Sequence, residues 1–276
     1  MKLKSYIVDT TLRDGEQSAG IAFSKQEKVR LALRMDEIGV YQIEAGIPFL
    51  GESEKEAIQE IMEKKKQAII SAWSTMDEKN IQAALDCKPD IVHISVPVSY
   101  VHIYSKLKKN KQWLKNRLIE CVNYAQRDGK EITVGFEDAS RADISFIIGI
   151  AMQLQEMGIK RIRYADTVGV MTPHGISDVI KNIRTYTDLE VEIHGHNDFG
   201  MAIANSLEAA KTGAKYVDCT FMGIGERAGN CDFLKFIKAS DGLLDLGLDK
   251  VKVYTLQKEV LQVIKSHGRA LECVKA

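Results

Sequence analysis

Tyr6-Ile-Val-Asp9, running into Thr10-Thr-Leu-Arg-Asp-Gly-Glu-Gln17, is the stretch that separates two folds. A short β-rich run ends in a carboxylate and passes into a polar turn. A doubly wound open sheet would place a glycine-rich phosphate turn after its first strand. This turn is charged and is not of that kind, so the competing parallel architecture gains weight.

The rest of the chain repeats the unit that this stretch begins. β-rich runs fall at Tyr6–Asp9, Tyr41–Ala45, Ala68–Trp73, Ile91–Val96, Glu131–Phe136, Arg161–Ala165, Val191–His194 and Tyr216–Thr220. Helical patterns separate them. Ser24 with Glu27 three residues on forms a capping-box signature, and Gly39 closes that helix after Ile38. Further helices are expected over Glu52–Lys66, Asp77–Leu85, Trp113–Gln126 and Arg141–Met157. Another runs from Pro173 in a first turn to Tyr186, and one spans Met201–Thr212. The segment from Cys231 to Ala276 reads as helix with a break at Gly242–Gly247. Eight βα units, each of roughly 30–35 residues, mean a parallel sheet covered by helices. In about 250 residues they fit a TIM (β/α)8 barrel. The expected division is a barrel over residues 1–240 and a helical extension over residues 241–276.

Composition narrows the function class. The 276 residues carry 38 basic and 38 acidic side chains, so the net charge is zero, without the basic excess of a nucleic-acid-coating protein. No apolar run reaches the ~18–20 residues of a membrane span, and the polar N-terminus does not read as a signal peptide. Cys87, Cys121, Cys219, Cys231 and Cys273 are an odd set without a CxxC pair. They suit a reducing cytoplasm better than a disulfide framework. Cys231 reads as a buried small hydrophobe.

In such a barrel the chemistry sits at the C-terminal ends of the strands, and nearly every expected end is polar. Asp9, Arg13, Asp14 and Gln17 follow the first strand and Glu44 ends the second. His93 and Ser95 lie on the fourth, Glu137-Asp138 end the fifth and Asp166-Thr167 the sixth. His194-Gly-His196-Asn-Asp198 ends the seventh; Asp218 and Thr220 lead into Gly223-Ile-Gly-Glu-Arg-Ala-Gly-Asn230. His194 and His196 are two apart on a strand and so point the same way. On its own, HxH is better read as a satisfied polar strand end. Within a ring of polar ends it becomes a divalent-metal site, with Asp14 as the carboxylate and Asn230 able to add an amide oxygen. Mg2+, Mn2+, Zn2+ and Fe2+ all suit that set. Arg13 beside it could clamp a carboxylate or a developing oxyanion. Glu137 and Glu44 could serve as acid or base, or form structural ion pairs. His102, His174 and His267 read as loop or surface residues. Lys106, Lys108, Lys109, Lys111 and Lys115 read as a solvated face, with a nucleotide phosphate as the functional alternative.

Several of these motifs resemble one known family. The Asp9–Gln17, His194–Asp198 and Gly223–Asn230 stretches are similar to those of isopropylmalate synthase/homocitrate synthase enzymes, metal-dependent TIM-barrel catalysts of Claisen condensation. Glu137-Asp-Ala-Ser-Arg-Ala-Asp143 and Ala165-Asp-Thr-Val-Gly169 fall in the family's order, and the resemblance covers roughly residues 5 to 240. Ile43-Glu-Ala-Gly-Ile-Pro48, Gly51-Glu-Ser-Glu54, Ser95-Val-Pro-Val-Ser99 and Arg161-Ile-Arg-Tyr-Ala-Asp-Thr167 are most similar to nitrogen-fixation-type homocitrate synthases. The resemblance implies acetyl-CoA and 2-oxoglutarate as substrates and homocitrate and CoA as products. It implies Asp14, His194 and His196 as metal ligands with Asn230 beside them, and Arg13 at the 2-oxo group. It places Glu137, Thr167 and His93 around the substrate. Gln17 and Glu44 are further expected substrate contacts. Arg163, alternating with Ala165, is the expected cation for the distal carboxylate.

Family members continue past the barrel into a subdomain with a His-Glu-Ser-Gly-Ile-His-like motif, which is absent from this sequence. The expectation is therefore a truncated chain, or one subunit of a split synthase whose C-terminal half is a separate polypeptide, in an oligomer. Other readings stay open: an isopropylmalate or citramalate synthase, a retro-Claisen lyase of the same superfamily, or a non-catalytic subunit that binds a 2-oxo acid.

Overall fold

The computed structural model describes residues 2–274, and side chains as far as residue 266. Eight strands form a closed parallel barrel: β1 (Tyr6–Asp9), β2 (Gln42–Gly46), β3 (Ile69–Thr75), β4 (Ile91–Pro97), β5 (Glu131–Glu137), β6 (Arg161–Asp166), β7 (Glu190–Gly195) and β8 (Tyr216–Cys219). Closure is made by β8 on β1, with Tyr6 opposite Tyr216 and Asp9 opposite Cys219. The helices α1 (Lys25–Glu37), α2 (Glu52–Lys64), α3 (Glu78–Asp86), α4 (Lys111–Gln126), α5 (Ile144–Glu156), α6 (Pro173–Tyr186), α7 (Ala202–Thr212) and α8 (Phe233–Ala239) alternate with them, and α9 (Lys250–Val274) follows. This is the TIM (β/α)8 barrel with a C-terminal helix that the repeat of β-rich runs and helical patterns predicts.

Local chemistry sets the boundaries. Ser24 accepts the Glu27 amide and the Glu27 carboxylate accepts the Ser24 amide, so the capping box starts α1 as expected. Thr172 caps α6, with Pro173 in its first turn. Gly213 ends α7 at φ +117°, where an added Cβ would strike the Arg184 guanidinium. The fifth helix starts at Ile144 rather than Arg141, because Asp143 caps the Ser145 amide and Ala139–Arg141 forms a separate 3-10 turn. A further departure lies at the chain's ends. Leu3–Lys4 pair in parallel with Leu244–Asp245, inside the break expected at Gly242–Gly247. His267, Cys273 and the end of the expected tail lie outside the residues whose side chains are described.

Two cores result. The apolar one lies between barrel and helices, where outward-facing Ile7, Ile43, Ile70, Ile94 and Ile193 meet α1–α8. The barrel interior is polar. β2 and β6 face each other across the eight-strand ring, so the bonds from Arg161 to Gln42 and from Arg163 to Glu44 span its lumen. At its N-terminal end Tyr6, Tyr41 and Tyr216 pack ring on ring, with the Arg161 guanidinium 4.2 Å from the Tyr216 ring centre. Among the described residues no helix is long and apolar enough to cross a membrane.

Candidate metal centre and active site

The C-terminal end of the barrel opens into a pocket lined by Arg13, Asp14, Gln17, Trp73, His93, Ser95, Gly135, Glu137, Arg163, Thr167, His194, His196 and Glu226, among others. At one side Asp14, His194 and His196 converge, all buried, with one ligand atom from each inside a 4.8 Å cluster. His194 Nε2 lies 2.9 Å from Asp14 Oδ2 and 3.2 Å from His196 Nε2. On its other edge His194 Nδ1 lies 2.9 Å from Asp218 Oδ2. A carboxylate that accepts a hydrogen bond from Nδ1–H leaves the Nε2 lone pair facing the cluster, the arrangement that orients metal-bound histidines.

These residues fit a divalent cation. Among the described residues Asp14 Oδ1 and Asn230 Oδ1 are buried with no hydrogen-bond partner, a costly state unless something else meets such groups. Asn230 is bridged to His196 through the backbone. Gly225, lacking a Cβ, leaves room for the Asn230 amide beside Asp14. Two imidazole nitrogens and a carboxylate oxygen in contact need a shared positive charge. Burial disfavours charge on His194, but Asp14 and Asp218 outweigh it and lift its pKa to about 9. Burial and the His194 charge push His196 down to about 3. Burial would raise the Asp14 pKa, but Arg13 and His194 hold it well below the usual carboxylate range. A proton on His194 and a metal ion therefore compete for one place.

Behind the cluster runs a chain of buried charges. Arg13 Nη1 is 3.2 Å from Asp14 Oδ2, and its Nε donates to Glu44. Glu44 also takes Arg163 Nη2 at 2.7 Å. Arg163 Nε meets Glu192 and lies 3.0 Å from Asp218. One expectation is corrected by this network. Glu44 is 0% exposed and does not line the pocket. It stands behind Arg13 and, despite burial, is kept ionised by Arg13 and Arg163, so it is no general acid at neutral pH. Arg163 does reach the pocket wall, with three carboxylates around its guanidinium. Asp9 also turns away from the pocket: its carboxylate accepts the Thr11 amide and hydroxyl, and Thr11 Oγ1 accepts the Phe221 amide.

Gln17, His93, Glu137 and Thr167 do line the pocket, as Arg13 does. Glu137 is half-buried at the end of β5, and Thr167 Oγ1 accepts the Asp138 amide at 2.8 Å. The last loop is clasped by Arg227, whose guanidinium meets both Asp198 oxygens and the Thr167 carbonyl. This clasp joins three loops and holds Glu226 at the pocket. Glu192, Trp73 and Glu226 were not foreseen. Glu192 had a signal, since it shares the alternation of His194 and His196. The lysines of residues 106–115 mostly stack on rings: Lys109 over Trp113, Lys111 and Lys115 over Phe146. His102 is half-buried in a π-helical turn rather than on an open surface, while His174 is exposed. Cys231 is buried, with its Sγ 3.8 Å from that of Cys219.

Fold and site together define a parallel barrel with a candidate divalent-metal centre at its mouth. The chain belongs to the HMGL-like family, whose model matches residues 4–262. It is 53% identical over 232 residues to a homocitrate synthase subunit alpha from Clostridium pasteurianum, covering 84% of this chain and 86% of that one. It is 42% identical to 2-isopropylmalate synthase 2 of Caldanaerobacter subterraneus, covering 98% of this chain and 70% of the relative. Among solved structures, an HMG-CoA lyase from Bacillus subtilis superposes with a TM-score of 0.85 over 100% of both chains at 18% identity, a likeness of fold.

Proposed function

We propose that this chain catalyses the metal-dependent Claisen condensation of acetyl-CoA with 2-oxoglutarate, giving homocitrate and CoA. The observation that carries the reading is the Asp14–His194–His196 cluster opening onto a pocket that Arg13 also lines. The 53% identity to a homocitrate synthase subunit alpha supports the substrate pair. Asp14, His194 and His196, with the Asn230 oxygen beside them, would hold Mg2+, Mn2+ or Zn2+. Bound there, such an ion supplies Lewis-acid polarisation of the keto group.

The chain's own residues account for the remaining work. Glu137 accepts a proton from the acetyl methyl group, and the resulting enolate carbon forms the new bond to the keto carbon. The keto oxygen gains the negative charge as its π bond breaks, and Arg13 stabilises it. Glu44 holds the Arg13 guanidinium in place through its Nε. Gln17 and Thr167 orient the bound acid. The proton taken from the methyl group passes from Glu137 to the keto oxygen, which becomes the hydroxyl of the product. Water then adds to the thioester, the C–S bond breaks, and the CoA sulfur leaves as a thiol with a proton from the water, the other water proton going to solvent as the new carboxylate forms. A separate C-terminal subunit in a hetero-oligomer would contribute to turnover, in keeping with the subunit name of the 53% relative. The 42% identity to an isopropylmalate synthase favours, as a second reading, a 2-oxo acid with a branched tail.

The test is the release of free CoA thiol from acetyl-CoA by metal-loaded protein, against a panel of 2-oxo acids. Release only when 2-oxoglutarate is added supports the reading. Release with 2-oxoisovalerate instead moves it to the second one. Cleavage of 3-hydroxy-3-methylglutaryl-CoA, with no condensation, overturns both.

A further inference from the structure

β5 faces β1 across the eight-strand ring, and β4 faces β8. The wall formed by His93, Ser95 and Gly135 therefore stands across the pocket from Asp14. A 2-oxo acid held by its head near Asp14, His194 and His196 points its tail at this wall. The inference rests on the 2-oxo acid reading above and concerns the length of that tail.

The His93 ring is buried, with Nδ1 2.8 Å from Thr133 Oγ1. Burial and Arg163 push its pKa down to about 3, so the ring is neutral. Its other edge occupies the place of a missing side chain. A Cβ built on Gly135 would collide with His93 Nε2 and lie 2.8 Å from Cε1. No real Cβ tolerates such contacts, so alanine at 135 would force the ring off β5 and into the pocket. Gly135 has an ordinary backbone conformation, since it is absent from the positive-φ glycines. Space, not backbone freedom, is what its missing Cβ provides.

We propose that Gly135 sets the depth of the substrate pocket by letting the His93 ring lie back against β5, and so admits a 2-oxo acid with a long tail such as 2-oxoglutarate. Gly135 is a positioning residue that acts through His93; Thr133 anchors the ring's far edge.

The experiment is calorimetric titration of Mn2+-loaded protein with 2-oxoglutarate and with pyruvate, which has no tail. Gly135→Ala should weaken 2-oxoglutarate about tenfold or more, an overpacking effect, and change pyruvate by less than about threefold. In a His93→Ala background the same substitution should change 2-oxoglutarate affinity by less than about twofold, because the ring it displaces is gone. Thr133→Val is the second variant: it frees the ring without adding volume, and should weaken 2-oxoglutarate several-fold with pyruvate unaffected. Thermal melts accompany each titration. Equal losses for both acids, or the same loss with and without His93, would overturn the inference while leaving the condensation reading intact. A parent protein that binds no 2-oxo acid when loaded with Mn2+ would overturn both.

Discussion

The two ends of the barrel interior are built from the same strands and differ in which buried polar atoms lack partners. At the N-terminal end Arg161 lies against the Tyr216 ring, donates to Gln42 and sits 3.3 Å from Glu192, while Gln42 donates to Ser71. Arg161 Nε and Nη1 make no hydrogen bond among the described residues, but they belong to a cation already held by a ring face and a carboxylate. Three tyrosine rings close that end. At the C-terminal end Asp14 Oδ1, Asn230 Oδ1 and Asp218 Oδ1 are buried acceptors without a donor among the described residues. One end is a polar layer that fills the barrel. The other holds acceptors that a cation or a substrate would meet. Buried charge alone does not mark a site; converging acceptors without donors do.

That contrast can be broken by substitutions at each end. The largest effect is expected for His194→Ala, which removes a central ligand and should abolish Mn2+ binding in calorimetry, with a loss of stability in urea as well, because Asp14 and Asp218 each lose a buried partner. Arg161→Met should lose stability and keep the metal. It leaves Glu192 and Gln42 short of a partner in the lumen, costs about 3 kcal/mol of stability in urea unfolding, and leaves Mn2+ affinity within about twofold. If Arg161→Met lost the metal as well, the two ends would form one unit and the contrast would fail.

Asp218→Asn probes the boundary between the ends. Its carboxylate orients His194 and also meets Arg163. A 10–100-fold loss of Mn2+ affinity, roughly the range for such supporting carboxylates, is expected by calorimetry. An unchanged affinity would show that His194 keeps its orientation without it.

The smallest effect concerns Asp9, buried beside the mouth but turned from it. Burial, only partly offset by the Thr11 amide and hydroxyl, raises its pKa from 3.8 to about 7. Between those values the folded chain holds a proton that the unfolded chain has released, so folding weakens as pH rises through that window. Asp9→Asn removes the titration. The variant should be more stable than the parent at about pH 8 by urea unfolding, with the difference closing by about pH 4. A constant difference across that range would place the cause elsewhere.

Much of this was legible in the sequence, for identifiable reasons. Alternation of β-rich runs and helices is a periodic signal, so all eight barrel strands are expected where they form. Strand ends are predictable from the same signal, and polar residues at those ends led to Asp14, His194, His196 and Asn230. Pairings across the lumen are not periodic. Glu44 reads as a substrate contact and Arg163 as the cation for a distal carboxylate because nothing along the chain shows that they meet each other, or that Arg163 also meets Glu192 and Asp218. The Leu3–Lys4 pairing with Leu244–Asp245 was missed because two residues give no pattern. Gly135 gives no signal of its own along the chain, since the ring that needs its space comes from another strand.

If a 2-oxo acid binds to a divalent ion held by Asp14, His194 and His196, its affinity depends on that ion. 2-Oxoglutarate is titrated into the protein with and without saturating Mn2+. Binding should require Mn2+ and be lost in His194→Ala. Equal 2-oxoglutarate affinity in the presence of Mn2+ and of excess chelator would contradict it.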